Sequence, residues 1–275
     1  MIPKDFITEW RMHAPWFADH QVEQDLVISR ALVALFAQPA ITAALAFRGG
    51  TALHKLHVHP PARYSEDIDL VQTAAGPAGP LFDAIHAALD GWLGEPRWKQ
   101  SEGRVTLIYR FTSEDEPALP LRLKVEINTR EHFAVLGVCR RRFAVESRWF
   151  RGAADLVTFE LAELMATKLR ALFQRKKGRD LFDLGVVLAS GAVSPQQVVD
   201  CFLRYMQEGG TRITRAMFEA NLAAKRADRV FSADLAPLLA PGHEWRPAEA
   251  MAMVERELVV RLPGEPWKGS GERRG

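Results

Sequence analysis

The chain has 275 residues, a formal charge of +2, and is 48% hydrophobic and 25% charged. That composition suits one or two domains with a sizeable core, and it excludes disordered, collagen-like and disulfide-scaffold chains. No apolar run approaches the roughly 20 residues of a membrane helix, the start lacks the basic and apolar stretches of a signal peptide, and Cys139 and Cys201 are expected as reduced thiols in a cytoplasmic protein.

Val22, Leu26, Val27, Ala31, Leu32 and Leu35 recur near a 3.6-residue spacing, which predicts a helix that Pro39 ends. A short run over 41–47 leads into Arg48-Gly49-Gly50-Thr51. Residues 67–71 alternate charged and apolar, as a strand does. Gly76-Pro77-Ala78-Gly79-Pro80 is a breaker, and 81–93 reads as an amphipathic helix. Residues 104–111 and 119–128 alternate again and predict two strands joined by the polar turn 113–117. After about residue 155 the pattern turns helical, over 159–173, 180–188 and 195–206. Ser194 is the expected N-cap of the last of these, with Pro195 at its first position. Helical sequence continues over 213–227, 234–239 and 247–258, and the tail 264–275 is expected to be frayed and disordered. Residues 1–150 thus read as an α/β lobe and 151–275 as a helical lobe. The seam falls between 143 and 155.

Four signals carry chemistry. In Asp67-Ile68-Asp69 the two carboxylates share one strand face and repel each other unless a divalent cation lies between them. Oxygen ligands of that kind suit Mg²⁺ or Mn²⁺. Asp-x-Asp alone is common, and its ordinary reading is a solvated strand end. Gly49-Gly50-Thr51 ends sixteen residues before Asp67. Its glycines permit a sharp turn, and a helix starting there would aim N–H groups at an anion. Glu126 lies on a strand with Arg122, Lys124 and Asn128 on its own face; beside the Asp67–Asp69 strand it would complete a two-metal phosphoryl-transfer centre. Lys168 and Arg175 share a helix face expected to end at Gly178, and Asp180 falls in or at the cap of the next helix, with Asp183 three residues on. A cationic face together with a carboxylate cluster is what a triphosphate needs.

Charge is unevenly spread. Residues 140–179 hold eleven Lys/Arg and four Asp/Glu, a local +7 that leaves −5 on the remainder. Such a block suits a polyanion, although charge alone favours a solvated face.

Phe47-Arg48-Gly49-Gly50-Thr51-Ala52-Leu53 followed by Arg63-Tyr64-Ser65-Glu66-Asp67-Ile68-Asp69-Leu70 resembles the signature of the AbiEii/AbiGii toxin family, toxins of type IV toxin–antitoxin systems. Lys168, Arg175 and Arg179-Asp180-Leu181-Phe182-Asp183 resemble its second motif block. The resemblance covers roughly residues 20–190; beyond that the chain matches only as generic helix. It implies an α+β fold, with a polymerase-β-like nucleotidyltransferase lobe built on a small mixed sheet and packed on a helical C-terminal lobe. It implies that Gly49, Gly50 and Thr51 hold the triphosphate of an NTP, that Asp67, Asp69 and Glu126 bind Mg²⁺ or Mn²⁺, and that Glu126 orients or deprotonates the attacking hydroxyl. It implies that Lys168 and Arg175 contact the nucleotide phosphates and that Asp180 belongs to the active site. The implied reaction transfers NMP to RNA, with the tRNA 3′ end as leading acceptor, in a cytoplasmic phage-defence toxin with no membrane partner. Its antitoxin is encoded nearby and need not touch it. Arg140, Arg141, Arg142, Lys176 and Lys177 are then candidates for an RNA backbone. Two other readings stand beside this one: the same chemistry on a small molecule or protein, and a nucleotide- or RNA-binding module without turnover.

Overall fold

The structure, a computed structural model, describes residues 2–269. Backbone contacts group the chain into two units, Met1–Glu160 with Ala240–Gly242, and Leu161–Leu239 with His243–Gly275.

The first unit opens with α1 (Lys4–Trp10) and α2 (Asp19–Phe36). The apolar spacing read from the sequence forms α2, whose Val22, Leu26, Ile28, Leu32 and Leu35 are fully buried. Its other faces are buried too, and they carry Glu23, Gln24, Asp25 and Ser29. Buried polar groups are tolerated only when bonded. Glu23 accepts from the Glu114 backbone at 2.9 Å, and Gln24 donates to the Arg122 carbonyl at 2.8 Å. Pro39 does not merely end α2: it stands at the first position of α3 (Pro39–Ala44), where its missing N–H costs nothing.

β1 (Leu45–Arg48) runs without a loop into α4 (Gly49–Leu56). β2 (Asp67–Gln72), α5 (Gly79–Leu93), β3 (Arg97–Ser101), β4 (Arg104–Thr112), β5 (Pro120–Asn128), β6 (Val138–Glu146) and β7 (Arg151–Phe159) follow. The strands make a seven-stranded sheet in the order β3-β4-β5-β2-β1-β7-β6. It is mixed: β2 pairs parallel with β5, and β1 parallel with β7, while the other neighbours are antiparallel. β4 and β5 fall where alternation predicts them, with Val105, Leu107, Tyr109, Leu123, Val125 and Ile127 buried.

The mixed sheet has strands that alternation does not predict, because β3, β6 and β7 carry little of it. β3 is exposed at every residue, and β6 buries only Val145. Both are edge strands. Charged residues such as Arg140, Arg141 and Arg142 suit an edge, where they discourage pairing with another chain. Residues 155–159 complete β7, so the helical run begins at Leu161 rather than near 155.

The second unit is α6 (Leu161–Gln174), α7 (Gly178–Ser190), α8 (Pro195–Glu208), α9 (Arg215–Arg226), α10 (Arg229–Ala233) and α11 (Pro247–Glu257). The Ser194 hydroxyl caps α8 by accepting from the Gln197 N–H, with Pro195 in the first turn. Gly178 does not close α6 but opens α7. A side chain there would collide with the Phe231 carbonyl, and the Gly178 N–H donates to Asp234 Oδ1 at 2.8 Å. The start of the tail is tied down: the Trp267 N–H donates to Glu219 Oε2 at 2.6 Å. Residues 270–275 of the tail expected to be disordered lie outside the described residues. Among the described residues no helix is long and apolar enough to cross a membrane.

Candidate active site

The junction of β1 and α4 is built by two glycines. Gly49 has φ +87°, a left-handed conformation, and a Cβ there would overlap Asp69 Oδ2. A Cβ on Gly50 would overlap the Arg63 guanidinium and press on Ser65 Oγ. Only glycines let this backbone approach Asp69 and the 63–65 segment so closely. Thr51 is buried, and its hydroxyl donates to the Asp67 carbonyl at 2.5 Å and lies 2.9 Å from Ser65 Oγ. The hydroxyl therefore fastens the first turn of α4 to the start of β2.

β2 and β5 pair parallel with Asp67 opposite Lys124 and Asp69 opposite Glu126. Asp67, Asp69, Lys124 and Glu126 share one face, since residues two apart in a strand do. The three carboxylates meet two cations. Lys124 Nζ lies 2.8 Å from Asp67 Oδ2 and 3.5 Å from Glu126 Oε2, and Arg104 Nε lies 3.2 Å from Glu126 Oε1. Among the described residues the Asp69 carboxylate has no hydrogen bond or ion pair, while Arg48, opposite it on β1, is paired with Glu131 at 2.6 Å. Burial, then repulsion from Asp67 and Glu126, pushes the Asp69 carboxyl above its usual range against the pull of Arg48 and Lys124. Burial pulls Lys124 down, but its bond to Asp67 and the three carboxylates outweigh that and hold its ammonium above the ordinary value. Like charges about 4 Å apart repel by about 4 kcal/mol at an effective dielectric of about 20. The cluster therefore calls for more positive charge than Lys124 and Arg104 supply.

A divalent cation fits that need. The donors are all hard carboxylate oxygens, one of them unpartnered, and an ammonium already stands among them as a monovalent cation. As the side chains lie, no three acidic, His or Cys groups among the described residues converge closely enough to hold a metal. Lys124 stands between Asp67 and Glu126, so metal entry requires its ammonium to move.

In the second unit Lys168, Arg175 and Asp180 come together, joined by Asp183. Lys168 Nζ lies 3.4 Å from Asp180 Oδ1 and 2.8 Å from Asp183 Oδ2. Arg175 grips Asp180 bidentately, Nε to Oδ2 at 2.7 Å and Nη2 to Oδ1 at 2.9 Å. Burial raises the Asp180 carboxyl, but the charge of Lys168 and the Arg175 bonds outweigh it and hold Asp180 below the usual carboxylate range. Lys168 is buried, whereas the Arg175 side chain is 49% exposed and can reach a ligand without leaving the cluster altogether.

Sequence reasoning gave no role to Lys124, Arg104 or Arg63. For Lys124 a signal existed: it has the same parity as Glu126 on an alternating strand. For Arg104 the signal lay in strand pairing, which a single sequence does not print.

A sequence model of a family described as "Nucleotidyl transferase AbiEii toxin, Type IV TA system" matches residues 30–253. No curated protein matches the chain. Among solved structures the fold is similar to MenT4, a nucleotidyltransferase toxin from Mycobacterium tuberculosis H37Rv, with TM-score 0.72 and 19% identity over 96% of this chain and 91% of that one. It is also similar to JHP933 from Helicobacter pylori, with TM-score 0.53 and 17% identity over 88% of this chain and 92% of that one. At these identities the likeness is one of fold.

Proposed function

The chain belongs to the AbiEii family of nucleotidyltransferase toxins of type IV toxin–antitoxin systems, and from that premise we propose that Asp67, Asp69 and Glu126 form its catalytic centre, acting on RNA. The observation that carries this reading is the register of β2 on β5, which sets Asp69 opposite Glu126 and leaves the Asp69 carboxylate without a counter-ion. Such an enzyme takes an NTP as substrate and has an antitoxin as partner.

Asp67, Asp69 and Glu126 would hold Mg²⁺ or Mn²⁺. When bound, the metal neutralises charge on the attacking and leaving oxygens. The protein does the positioning. Backbone N–H groups of Gly49, Gly50 and Thr51 at the start of α4 face the triphosphate, since a helix N-terminus favours an anion. The Thr51 hydroxyl keeps the Asp67 backbone in place. Glu126 accepts the proton of the acceptor hydroxyl, whose oxygen attacks the α-phosphorus as the bond to pyrophosphate breaks. Lys168 and Arg175 bind nucleotide phosphates, with Asp180 and Asp183 holding the two cations in their rotamers.

The acceptor we favour is RNA, with the tRNA 3′ end foremost, so that transfer blocks translation and growth, as in phage defence. The basic stretch with Arg140, Arg141, Arg142, Lys176 and Lys177 supports an RNA partner, and its binding should weaken as salt rises. An activity that uses NTP and RNA suits the cytoplasm, with the antitoxin encoded nearby.

The test is incubation of the full chain with α-labelled NTPs, Mg²⁺ and total RNA. Label on RNA, released as a modified 3′ end on nuclease digestion, supports the reading. Label on protein or small molecules alone overturns the RNA assignment.

A further inference from the structure

A second site stands in the first unit. A cavity of about 350 Å³ opens beside α4, walled by the end of α1, the 59–65 segment and β6. Trp10, Trp16, Asp25 and Arg63 form its buried floor, and Arg141 and Arg142 stand on its exposed rim. None of Asp67, Asp69 and Glu126 lines it; of the residues assigned to the NTP, only Thr51 does.

Its charge suits an anion. The one carboxylate on the wall, Asp25, is already neutralised: Trp10 Nε1 donates to it at 2.8 Å, Trp16 Nε1 at 3.3 Å, and Lys55 pairs with it at 2.6 Å. The guanidinium of Arg63 stays buried in the floor. The rim arginines hold loose partners outside the wall: Arg141 pairs with Glu160 and Arg142 with Asp155, each at 3.4 Å and exposed, and Arg141 also bonds the Cys139 thiol. Exposed pairs of that kind are worth little, so the rim leaves guanidinium charge available to a phosphate, the anion that Arg binds bidentately.

Its shape suits a ring. Trp10 is held by Asp25 and backs the exposed His13 ring, their centroids 4.6 Å apart and their planes tilted by 41°. Aromatic platforms of this kind stack nucleobases without selecting among them. The volume is at the lower end of small-ligand pockets, which begin at about 300 Å³.

We propose that this cavity binds a nucleoside 5′-monophosphate unit, with its base against the exposed His13 ring that Trp10 backs and its phosphate at the basic rim where Arg141 and Arg142 stand. The unit is either a free mononucleotide or the terminal residue of a single-stranded RNA. The inference needs no metal and does not depend on the catalytic assignment of the carboxylates.

The experiment is calorimetric titration of the full chain in EDTA with AMP, UMP, inorganic phosphate and a pentaribonucleotide, on wild type and on Arg141→Ala/Arg142→Ala. The expected result is one site for AMP and UMP, binding at least tenfold tighter than phosphate, and at least tenfold weaker in the double variant. Both substitutions fall on exposed side chains, and circular dichroism checks the fold. Affinity for the pentamer tenfold above AMP identifies an RNA end as the source; equal affinity identifies the free nucleotide. Asp67→Asn keeps AMP affinity if the sites are separate. Three results overturn the proposal: no nucleotide binding, phosphate binding as well as AMP, or AMP lost in Asp67→Asn and displaced one for one by NTP. The last would make the cavity part of the NTP site.

Discussion

The Lys124 ammonium sits 2.8 Å from Asp67 Oδ2, directly across the parallel pairing of β2 and β5. It is an internal counter-ion in the cleft where a divalent ion is expected, and it contends for the same oxygens. Lys124→Met removes that competitor. Mn²⁺ titration followed by electron paramagnetic resonance should show tighter binding by several-fold, and in EDTA the variant should melt below wild type because Asp67 and Glu126 each lose an ion-pair partner. Weaker Mn²⁺ binding in the variant would make Lys124 a support of the metal site and not its rival.

Asp69 works in the opposite sense. Burial and its two carboxylate neighbours raise its pKa in the folded chain. A raised carboxyl binds more protons folded than unfolded, so its cost to stability is full above the folded pKa and fades as pH falls toward the ordinary value near 3.9. Asp69→Asn should therefore raise Tm in EDTA at pH 7.5, and the gain should shrink on acidification. It should also abolish the Tm increase that Mg²⁺ gives wild type. Site residues that cost stability when unliganded are a familiar trade. An unchanged or lower Tm in EDTA contradicts the electrostatic reading of the cluster.

Asp180 has a different sign. Its pKa is held down, so its contribution is present above the ordinary carboxylate value and is lost as pH falls through the depressed one. Asp180→Ala removes the bidentate grip on Arg175 and leaves Lys168 with Asp183 alone, and breaking such a buried pair costs up to about 3 kcal/mol. Arg175→Ala should cost less than about 1 kcal/mol, because Arg175 is half exposed and Lys168 stays to pair Asp180. Urea unfolding at pH 7 and at pH 3 measures both. Equal costs for the two variants would show that burial of Asp180 is not what sets the energy.

Gly49→Ala puts a methyl group on Asp69 Oδ2 in a left-handed backbone. Strain of that kind costs about 1–3 kcal/mol. Transfer activity should fall by more than tenfold even at temperatures where circular dichroism shows the variant folded, since the methyl displaces the carboxylate. Activity near wild type would mean the β1–α4 junction does not need to touch Asp69.

Much of this was legible in the chain. The Asp67–Asp69 parity, the glycine pair and the alternation of 104–111 and 119–128 are local patterns, and local patterns survive in a sequence. The opposition of Asp69 and Glu126 was conditional on two strands being neighbours, which only the fold supplies. β6 was hidden because an edge strand facing water has no apolar face to alternate, and its three arginines read as a charge block. Gly178 was read as a stop because glycine commonly closes a helix; here the Phe231 carbonyl and Asp234 claim the space and the N–H, and it starts one. Lys168 and Arg175 read as a cationic face on one helix, whereas the carboxylates that hold them, Asp180 and Asp183, lie in the first two turns of the next, a pairing that only the fold supplies.

The most direct test of the central claim is transfer of α-labelled nucleotide to RNA by wild type and by Asp69→Asn, at matched folded fraction and saturating Mg²⁺. Label is expected on RNA with wild type and at least a hundredfold less with Asp69→Asn. Equal labelling by the two proteins would contradict it, because the carboxylate opposite Glu126 would then have no part in the reaction.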